Sequence, residues 1–456
     1  MEALQAEIMA GEHTDKRYLG VADNILSHIK SEPENLKHYT ALYSVLRSMN
    51  DCAEKWYYSG ELKKYCTERI IQNKSKDANS LFKAVLLLEA QGLRLDSYMQ
   101  YIELQREPEK RFWIPRRKQL EPVCRAMQKL VDGELDILSI SVPPGCGKST
   151  LEIFLHSMMI GAFPDSCSLA SGHSGTLTNS IYDGVNSILS DPDYLWHDVY
   201  PAAGTIITNA KEQTIDLGKK HRFSSLTCRA IGASLTGATR CEKLLTADDL
   251  VSGIEEALSI DRLDKLWTAY TNDLKSRKKL NCKELHIATR WSVHDPIGRL
   301  QVMYADSPKA QFLVMPAVDE DGESNFNYRY GVGFDKAYFE DMKNNLDDCS
   351  WRALFMNQPI EREGLLYSED ELRRYFELPS DSPDAVISVC DTKDRGADYC
   401  VMPIAYQYGN DFYIEEIICD NSNPETVETR LVEALLRHKV KLSRFESNSA
   451  GGKIAE

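Results

Sequence analysis

The sequence lacks the patterns that mark several common kinds of protein. Its twelve cysteines include no C-x-x-C pair, and its ten histidines include no H-E-x-x-H spacing. We therefore expect neither a disulfide framework nor a zinc site of these types. The N-terminus does not resemble a signal peptide, and the longest apolar runs are far shorter than a membrane span. These absences predict a protein that keeps reduced thiols in a cytosolic setting and does not enter a membrane.

An excess of positive charge is lacking as well. The 456 residues carry 54 lysines and arginines against 69 aspartates and glutamates, which gives a formal net charge of −15. This balance argues against DNA binding over the whole surface, although a local basic channel would still bind phosphates. A net charge of this size favours solubility. The length predicts two or three domains.

One stretch has the pattern of a phosphate-binding loop. The apolar, strand-like run at residues 135–142 is followed by small residues and then by Gly147, Lys148 and Ser149. In such a loop backbone N–H groups surround a phosphate, the lysine contacts the β and γ oxygens, and the hydroxyl suits Mg²⁺. The predicted nucleotide-binding residues are Pro144, Gly145, Cys146, Gly147, Lys148, Ser149 and Thr150. Val142 replaces the first glycine of G-x-x-x-x-G-K-S/T, so a glycine turn before an ordinary helix is the alternative.

A second element of a nucleotide site comes further along the chain. Strand-like runs alternate with helical ones after the loop, which predicts an α/β fold with a mostly parallel sheet. The run at residues 244–248 ends in Asp248 and Asp249. Carboxylates at the ends of such strands lie at the sheet edge where nucleotides and Mg²⁺ bind. We assign Asp248 to the metal and Asp249 to the attacking water, and a solvated acidic turn is the alternative.

A further strand, at residues 284–289, ends at Thr289. In P-loop motors with an extra strand beside the phosphate loop, a threonine or serine at this tip senses hydrolysis and moves the rest of the motor. We therefore assign Thr289 to coupling. The residues before this strand, 254–278, have helical spacing and end in a basic cluster at 275–279. That cluster either contacts a DNA backbone or forms a solvated helix face.

The first part of the chain, residues 1–108, has apolar residues spaced three and four apart and is predicted to be helical. It contains no chemical motif, which favours an interaction or docking region. Prolines, cations and aromatic residues at 107–119 indicate a boundary, and a helix is predicted from Leu120 to Val131. Gln119 is the candidate for an adenine contact, because many P-loop motors carry a glutamine there. A solvent-exposed glutamine is the alternative.

The last part of the chain has the order strand, hairpin, helix, strand. The first strand ends at Asp391, the hairpin turns at Gly409-Asn410, and the last strand ends at Glu446. This order brings the two acids side by side, where they can hold divalent ions that activate water for phosphodiester cleavage. Asp398 is close enough in sequence to assist. For each acid alone, a surface residue at a strand end is the alternative.

Several segments resemble, in the same order, motifs of the large terminase subunits of tailed double-stranded DNA phages, which are ATP-driven DNA-packaging motors. The most specific segment is Ile287-Ala-Thr-Arg-Trp-Ser-Val-His-Asp-Pro-Ile-Gly-Arg-Leu300, which is similar to T-R-W-x-x-x-D-x-x-G-R-L. The others lie at residues 142–149, 235–237 ahead of 248–249, 314–317 and 355–359. The resemblance covers about residues 112 to 456.

This resemblance implies a P-loop ATPase core, with an extra strand between the two nucleotide motifs, followed by an RNase H-like nuclease. The domains are then a helical region at 1–108, an ATPase at 109–360 and a nuclease at 361–456. ATP and Mg²⁺ are implied for the first site, and Mg²⁺ or Mn²⁺ for the second. The implied partners are double-stranded DNA, a small terminase subunit and a portal protein in the cytoplasm of the infected bacterial host. A ring of about five subunits on the portal is implied too, with a monomer when free.

Two departures from the family pattern matter. The family's third nuclease carboxylate lies well after the segment matching residues 445–451, whereas this sequence ends at Glu456. We therefore expect a truncated nuclease domain, and a nuclease without that ligand can be inactive. Many relatives also carry an arginine in the phosphate loop where this chain has Gly145 and Cys146. Such an arginine can raise the rate by several orders of magnitude, and Arg229 or Arg240, acting on a neighbouring subunit, are the candidates.

Two other functions remain as alternatives. The chain could be a helicase-like P-loop ATPase that remodels nucleic acid without cleaving it. It could instead be a non-catalytic docking protein with a degenerate ATP site, of which Val142 and the missing loop arginine would be symptoms. Measurements of ATP turnover and of DNA nicking distinguish these functions.

Overall fold

The computed structural model of the chain describes residues 15–233, 239–359, 373–392 and 399–445. The chain divides into two compact units, Met1–Glu363 and Gly364–Glu456. Within the described residues, no helix is both long enough and apolar enough to cross a membrane.

The first unit begins with helices that pack around an apolar core containing Tyr39, Leu42 and Leu62, all fully buried. Each helix places apolar residues on one face at three- and four-residue spacing, which is why the sequence forms packed helices here. These helices are α1 (Asp15–Ser31), α2 (Leu36–Ser48), α3 (Ala53–Asn73), α4 (Lys76–Gln91) and α5 (Leu95–Ile102). The helical prediction is confirmed over the described part of residues 1–108.

Helix α6 (Trp113–Val131) leads into the sheet and begins earlier than the predicted start at Leu120. Its first turn is fixed by Glu103, whose carboxylate accepts hydrogen bonds from the backbone N–H of Phe112 (2.7 Å) and of Trp113 (2.9 Å). Pro115 lies in this first turn, where a backbone N–H has no helical partner to lose. The predicted start was wrong because the group that caps the helix belongs to a preceding segment.

The centre of the first unit is an eight-stranded sheet with the order β3-β4-β5-β2-β6-β7-β1-β8. Its strands are β1 (Ile137–Ser141), β2 (Ser168–Gly172), β3 (Ile206–Asn209), β4 (Thr214–Leu217), β5 (Leu226–Ala230), β6 (Leu244–Asp248), β7 (Lys283–Ala288) and β8 (Ala310–Val314). The pairs from β5 to β8 are parallel, and β3 and β4 form an antiparallel extension. The sequence predicted the mostly parallel α/β sheet. It did not predict strands β3, β4 and β8.

The central strands are buried on both faces, which explains why their sequences contain few charged residues. Every residue of β1, β2 and β6 is buried, as expected for parallel strands covered on both faces. The covering helices include α7 (Lys148–Ala162) and α8 (Gly175–Ser190), while α9 (Trp196–Val199) packs against α4 and α8. Strand β7 lies between β1 and β6, so an extra strand separates the strand before the phosphate loop from the strand that ends in Asp248.

The segment after β6 is not the continuous helix that its spacing suggests. It forms α10 (Ile254–Ala257), α11 (Ile260–Ala269) and a π-helical turn at Tyr270–Leu274. Ser259 interrupts the pattern, because its hydroxyl caps α11 by accepting a hydrogen bond from the Arg262 N–H. In the basic cluster that follows, Lys278 Nζ donates to the buried carboxylate of Glu284 (2.6 Å). At least this cation is therefore committed to the interior rather than to a DNA backbone.

Among the described residues of the first unit, three further α-helices follow, α12 (Pro296–Met303), α13 (Lys336–Asn345) and α14 (Asp348–Leu354). The second unit contains β9 (Ala385–Cys390), β10 (Cys400–Tyr408), β11 (Asp411–Asp420), α15 (Pro424–Arg437) and β12 (Leu442–Phe445). Its sheet order is β11-β10-β9-β12, with β12 parallel to β9 and the other pairs antiparallel. Strand, hairpin, helix and strand follow in the predicted order. The core between this sheet and α15 contains Met402, Ile404 and Leu431.

Candidate nucleotide site

The loop between β1 and α7 has the backbone of a phosphate-binding loop. Gly145 (φ +76°) and Gly147 (φ +98°) adopt left-handed conformations that side chains disfavour. A Cβ atom at Gly145 would lie 2.9 Å from the Phe334 ring, and one at Gly147 would lie 2.9 Å from the Phe112 ring. Glycine is therefore required at both positions. Helix α7 begins at Lys148, so its free N–H groups and positive dipole end face the loop.

Lys148 connects residues from two other strand ends. Its Nζ atom lies 2.6 Å from Asp249 Oδ2 and donates a hydrogen bond to Thr289 Oγ1 (2.8 Å). The backbone N–H of Thr289 in turn donates to Asp249 Oδ1 (2.9 Å). The structure thus brings together three residues that sequence reasoning assigned separately to phosphate binding, water activation and coupling.

Ser149 and Asp248 form the second contact of the site. The Ser149 hydroxyl donates to Asp248 Oδ2 (2.6 Å). The other carboxylate oxygen, Oδ1, is buried and has no hydrogen-bond partner among the described residues. Burial raises the pKa of Asp248, and the nearby charges of Glu152 and Asp249 raise it further. A buried oxygen without a partner and an adjacent hydroxyl are hard oxygen donors, so these residues fit a Mg²⁺ ion.

Behind this contact lies a buried polar chain that sequence reasoning missed. His156 Nε2 lies 2.8 Å from the Thr246 hydroxyl, which itself donates to Glu152 Oε1. Burial raises the pKa of Glu152 to about 8 and lowers that of His156 to about 3. Both side chains are therefore mostly neutral near pH 7, and their 3.7 Å approach is not an ion pair. The available signal was the presence of Glu152 and His156 within the mostly apolar stretch at residues 151–160.

The turn that carries Thr289 is held by the residues of the family-like segment 287–300. Arg290 is buried and pairs with Asp295 (Nε to Oδ2, 2.9 Å), which also caps α12 by accepting from the Gly298 N–H (2.8 Å). A Cβ atom at Gly298 would lie 1.9 Å from the Val293 carbonyl oxygen. The Asn357 side chain accepts from the Arg290 N–H (3.3 Å). These residues therefore fix the position of the strand tip.

A second group missed by sequence reasoning lies on the other side of the loop. The Tyr328 hydroxyl donates to the carbonyl of Cys146 (2.9 Å). The Arg116 guanidinium lies 4.7 Å from the centre of the Phe112 ring and 5.2 Å from that of Tyr328. Burial lowers the pKa of Arg116. Gln119, the predicted adenine contact, donates its side-chain N–H to the carbonyl of Asn327 (2.7 Å).

The loop arginine of many relatives has no equivalent in the loop itself. The Cys146 side chain is fully buried, and burial raises the pKa of its thiol to about 12. Of the two predicted substitutes, Arg229 pairs with Glu212, and Arg240 Nε lies 3.1 Å from Glu242 Oε1. Both candidate arginines therefore have carboxylate partners within their own chain.

In the second unit, Asp391 follows β9 and is exposed. Its backbone exchanges hydrogen bonds with that of Val401 (2.9 and 3.0 Å). The parallel register of β9 and β12 pairs Cys390 with Phe445, which are the residues before Asp391 and Glu446. Glu446, Asp398 and the segment 235–237 lie outside the described residues.

No protein-family model matches the chain, and no curated protein matches its sequence. Among solved structures, the bacteriophage HK97 large terminase is 13% identical, with 78% of this chain and 74% of that chain covered and a TM-score of 0.41.

The large terminase of a thermophilic bacteriophage is 11% identical, with 73% of this chain and 77% of that chain covered and a TM-score of 0.34. Other structures of that terminase contain ADP or ATP-γ-S. The Phi-28 gp11 DNA packaging motor is 11% identical, with 70% and 93% covered and a TM-score of 0.30.

The chain is similar to phage large terminases.

Proposed function

We propose that the chain is an ATP-driven DNA-packaging motor subunit of the large terminase type. The observation that carries this proposal is the meeting of three strand ends at Lys148, where Asp249 and Thr289 both contact its ammonium group. A glycine turn before an ordinary helix does not require a buried lysine in this position. The same contacts argue against a degenerate site, because Lys148 supplies a cation for a phosphate and Ser149 with Asp248 supplies oxygen donors for Mg²⁺.

The proposed roles follow from the contacts. Backbone N–H groups of residues 145–150 and the Lys148 ammonium bind the phosphates of ATP. Ser149 and Asp248 hold Mg²⁺, which supplies charge neutralisation on the phosphate oxygens when it is bound. Since Lys148 now pairs with Asp249, the bound phosphate replaces that contact and leaves the Asp249 carboxylate free to accept a proton.

The hydrolytic step uses that free carboxylate. Asp249 accepts a proton from water as the water oxygen bonds to the γ-phosphorus. The bond between the γ-phosphorus and the bridging oxygen breaks, and ADP leaves with the electron pair of that bond. Thr289 touches both Lys148 and Asp249, so the exchange of partners at the site is transmitted to strand β7. We propose that this exchange couples hydrolysis to movement of DNA.

The wider proposal concerns domains and partners. Residues 1–108 serve as a docking region, 109–360 as the ATPase and 361–456 as an RNase H-like nuclease. The motor assembles as a ring of about five subunits with a portal protein and a small terminase subunit, and it moves double-stranded DNA. It does so in the cytoplasm of an infected bacterial host, and the subunit is a monomer when free.

The ATPase proposal is tested by ATP turnover of the purified chain. We expect Lys148→Ala to abolish turnover, whereas Lys129→Ala, at an exposed position on α6, leaves turnover as in the wild type. Equal turnover in the wild type and Lys148→Ala would show that the phosphate-loop assignment is wrong.

We further propose that Asp391, Glu446 and Asp398 bind Mg²⁺ or Mn²⁺ in the nuclease. The support is the parallel register of β9 and β12, in which Cys390 pairs with Phe445. Asp391 and Glu446 are the residues that follow this pair along the two strands. Plasmid nicking with Mn²⁺ tests this assignment, with Asp391→Asn as the variant and Asp411→Asn, in the hairpin at the start of β11, as the control. Loss of nicking in the first variant alone supports the nuclease. Nicking that proceeds equally in the wild type and both variants opposes this metal assignment and favours a helicase-like ATPase without cleavage.

A further inference from the structure

We propose that His173 is the positioning residue that holds Asp249 in the conformation needed for water activation. This inference rests on the proposed ATPase function and deepens it. His173 belongs to none of the motifs that the sequence suggested. Its place in the fold, directly after β2, nevertheless puts it beside the acid.

The sheet register brings the two residues together. Strands β2 and β6 are parallel neighbours whose last paired residues are Gly172 and Asp248. The next residues along the two strands are His173 and Asp249. A Cβ atom at Gly172 would lie 3.0 Å from the Asp248 carbonyl oxygen and 2.8 Å from the Leu177 side chain. The absence of a side chain at Gly172 therefore permits the close approach of the two strand ends.

One hydrogen bond joins the neighbours. The His173 Nδ1 atom lies 2.8 Å from the backbone carbonyl oxygen of Asp249. A carbonyl oxygen only accepts, so Nδ1 carries the hydrogen. The imidazole is thereby fixed in one tautomer and one orientation, with Nδ1 directed at the Asp249 backbone.

The Asp249 backbone needs such support. Its φ is +41°, in the left-handed region that a residue with a side chain disfavours. The backbone N–H of Asp249 donates to the Ile287 carbonyl (2.8 Å), which fixes one side of the residue. The bond from His173 fixes the other side. Together they direct the carboxylate to the Thr289 N–H and to Lys148.

The test uses three variants that separate the two imidazole nitrogens. The amide nitrogen of an asparagine side chain can take the place of Nδ1, whereas that of glutamine reaches the place of Nε2. We expect His173→Ala to lower kcat for ATP hydrolysis by about 10- to 100-fold, because misplacing a catalytic group by about 1 Å has that effect. We expect His173→Asn to recover most of the rate and His173→Gln to stay near the alanine level.

Binding of a fluorescent ATP analogue with Mg²⁺ provides the second readout. A positioning role predicts an unchanged Kd in all three variants, so that the effect falls on kcat. The exposed residue His28, on α1, gives the control variant His28→Ala, which should match the wild type in both measurements.

The outcomes separate this inference from the proposed function. If Lys148→Ala abolishes turnover while His173→Ala matches the wild type, His173 has no positioning role. Rescue by glutamine instead of asparagine, or by neither, also overturns the inference, because donation from Nδ1 would then not be the required contact. A higher Kd of His173→Asn for the ATP analogue would also overturn the inference. If Lys148→Ala leaves turnover unchanged, the ATPase proposal itself fails.

Discussion

Glu152 is a buried carboxyl group whose protonation makes the stability of the fold depend on pH. It is fully buried behind Asp248, and burial raises its pKa to about 8 from an ordinary value of 4.5. The folded state therefore keeps a proton that the unfolded state loses above about pH 4.5. Below that pH both states hold the proton. Between there and about pH 8 the fold loses stability as pH rises, because only the unfolded state gains the charged carboxylate.

This linkage gives a prediction for Glu152→Gln. The glutamine amide has nearly the same shape and no ionisable proton, so this contribution to the pH dependence disappears. We expect the free energy of unfolding of the wild type to fall relative to that of the variant by an amount on the order of a few kcal/mol between pH 5 and pH 8. Urea titrations at several pH values measure the difference. Parallel curves for the two proteins would contradict the prediction.

Gly298 is a residue whose importance comes from packing. A Cβ atom there would lie 1.9 Å from the Val293 backbone carbonyl and 3.0 Å from the Arg290 guanidinium. We expect Gly298→Ala to destabilise the fold by about 1–3 kcal/mol, since neither backbone can move freely. Gly20, inside α1 with no atom within 4 Å of a Cβ, is the matched control. Gly20→Ala should stabilise by up to about 1 kcal/mol. A thermal melt in which both variants behave alike would refute the packing argument.

At the scale of the element, strand β7 connects the nucleotide site to the rest of the sheet. Its tip residue, Thr289, contacts Lys148 through the hydroxyl and Asp249 through the backbone. Thr289→Val keeps the shape and the backbone contact but removes the hydroxyl. We expect the variant to bind ATP as the wild type does, while the stimulation of its ATP turnover by double-stranded DNA is lost. Unchanged stimulation would show that Thr289 does not couple the site to DNA.

The elements also show what sequence reasoning can and cannot predict. Strands β1, β2, β6 and β7 were predicted, and β1 and β6 are short, mostly apolar runs that end at a small or polar residue. The residues around Lys148 were predictable for the same local reason, and their roles stay predictions. The start of α6 was not, because its cap is Glu103, which precedes the helix by several residues. Arg116 and Tyr328 reach the site only through tertiary packing, which spacing along the chain does not reveal.

At the scale of the whole molecule, each unit has an apolar core of its own. The first unit contains three clusters of buried residues, and the second contains the cluster beneath α15. We therefore expect residues 1–363 to fold alone and to bind ATP with the affinity of the full chain, because the nucleotide site lies within this unit. Equilibrium binding of a fluorescent ATP analogue to both proteins checks this. A fragment that is folded but fails to bind would mean that the second unit contributes to the site.

The central claim is that the cluster around Lys148 hydrolyses ATP. The most direct measurement compares ATP binding and phosphate release in the wild type and in Asp249→Asn, since the change keeps the shape of the side chain and removes its basicity. We predict that the variant binds ATP and Mg²⁺ at least as tightly as the wild type but releases phosphate more slowly by a factor of about 100 or more. Phosphate release at the wild-type rate by Asp249→Asn would contradict the claim.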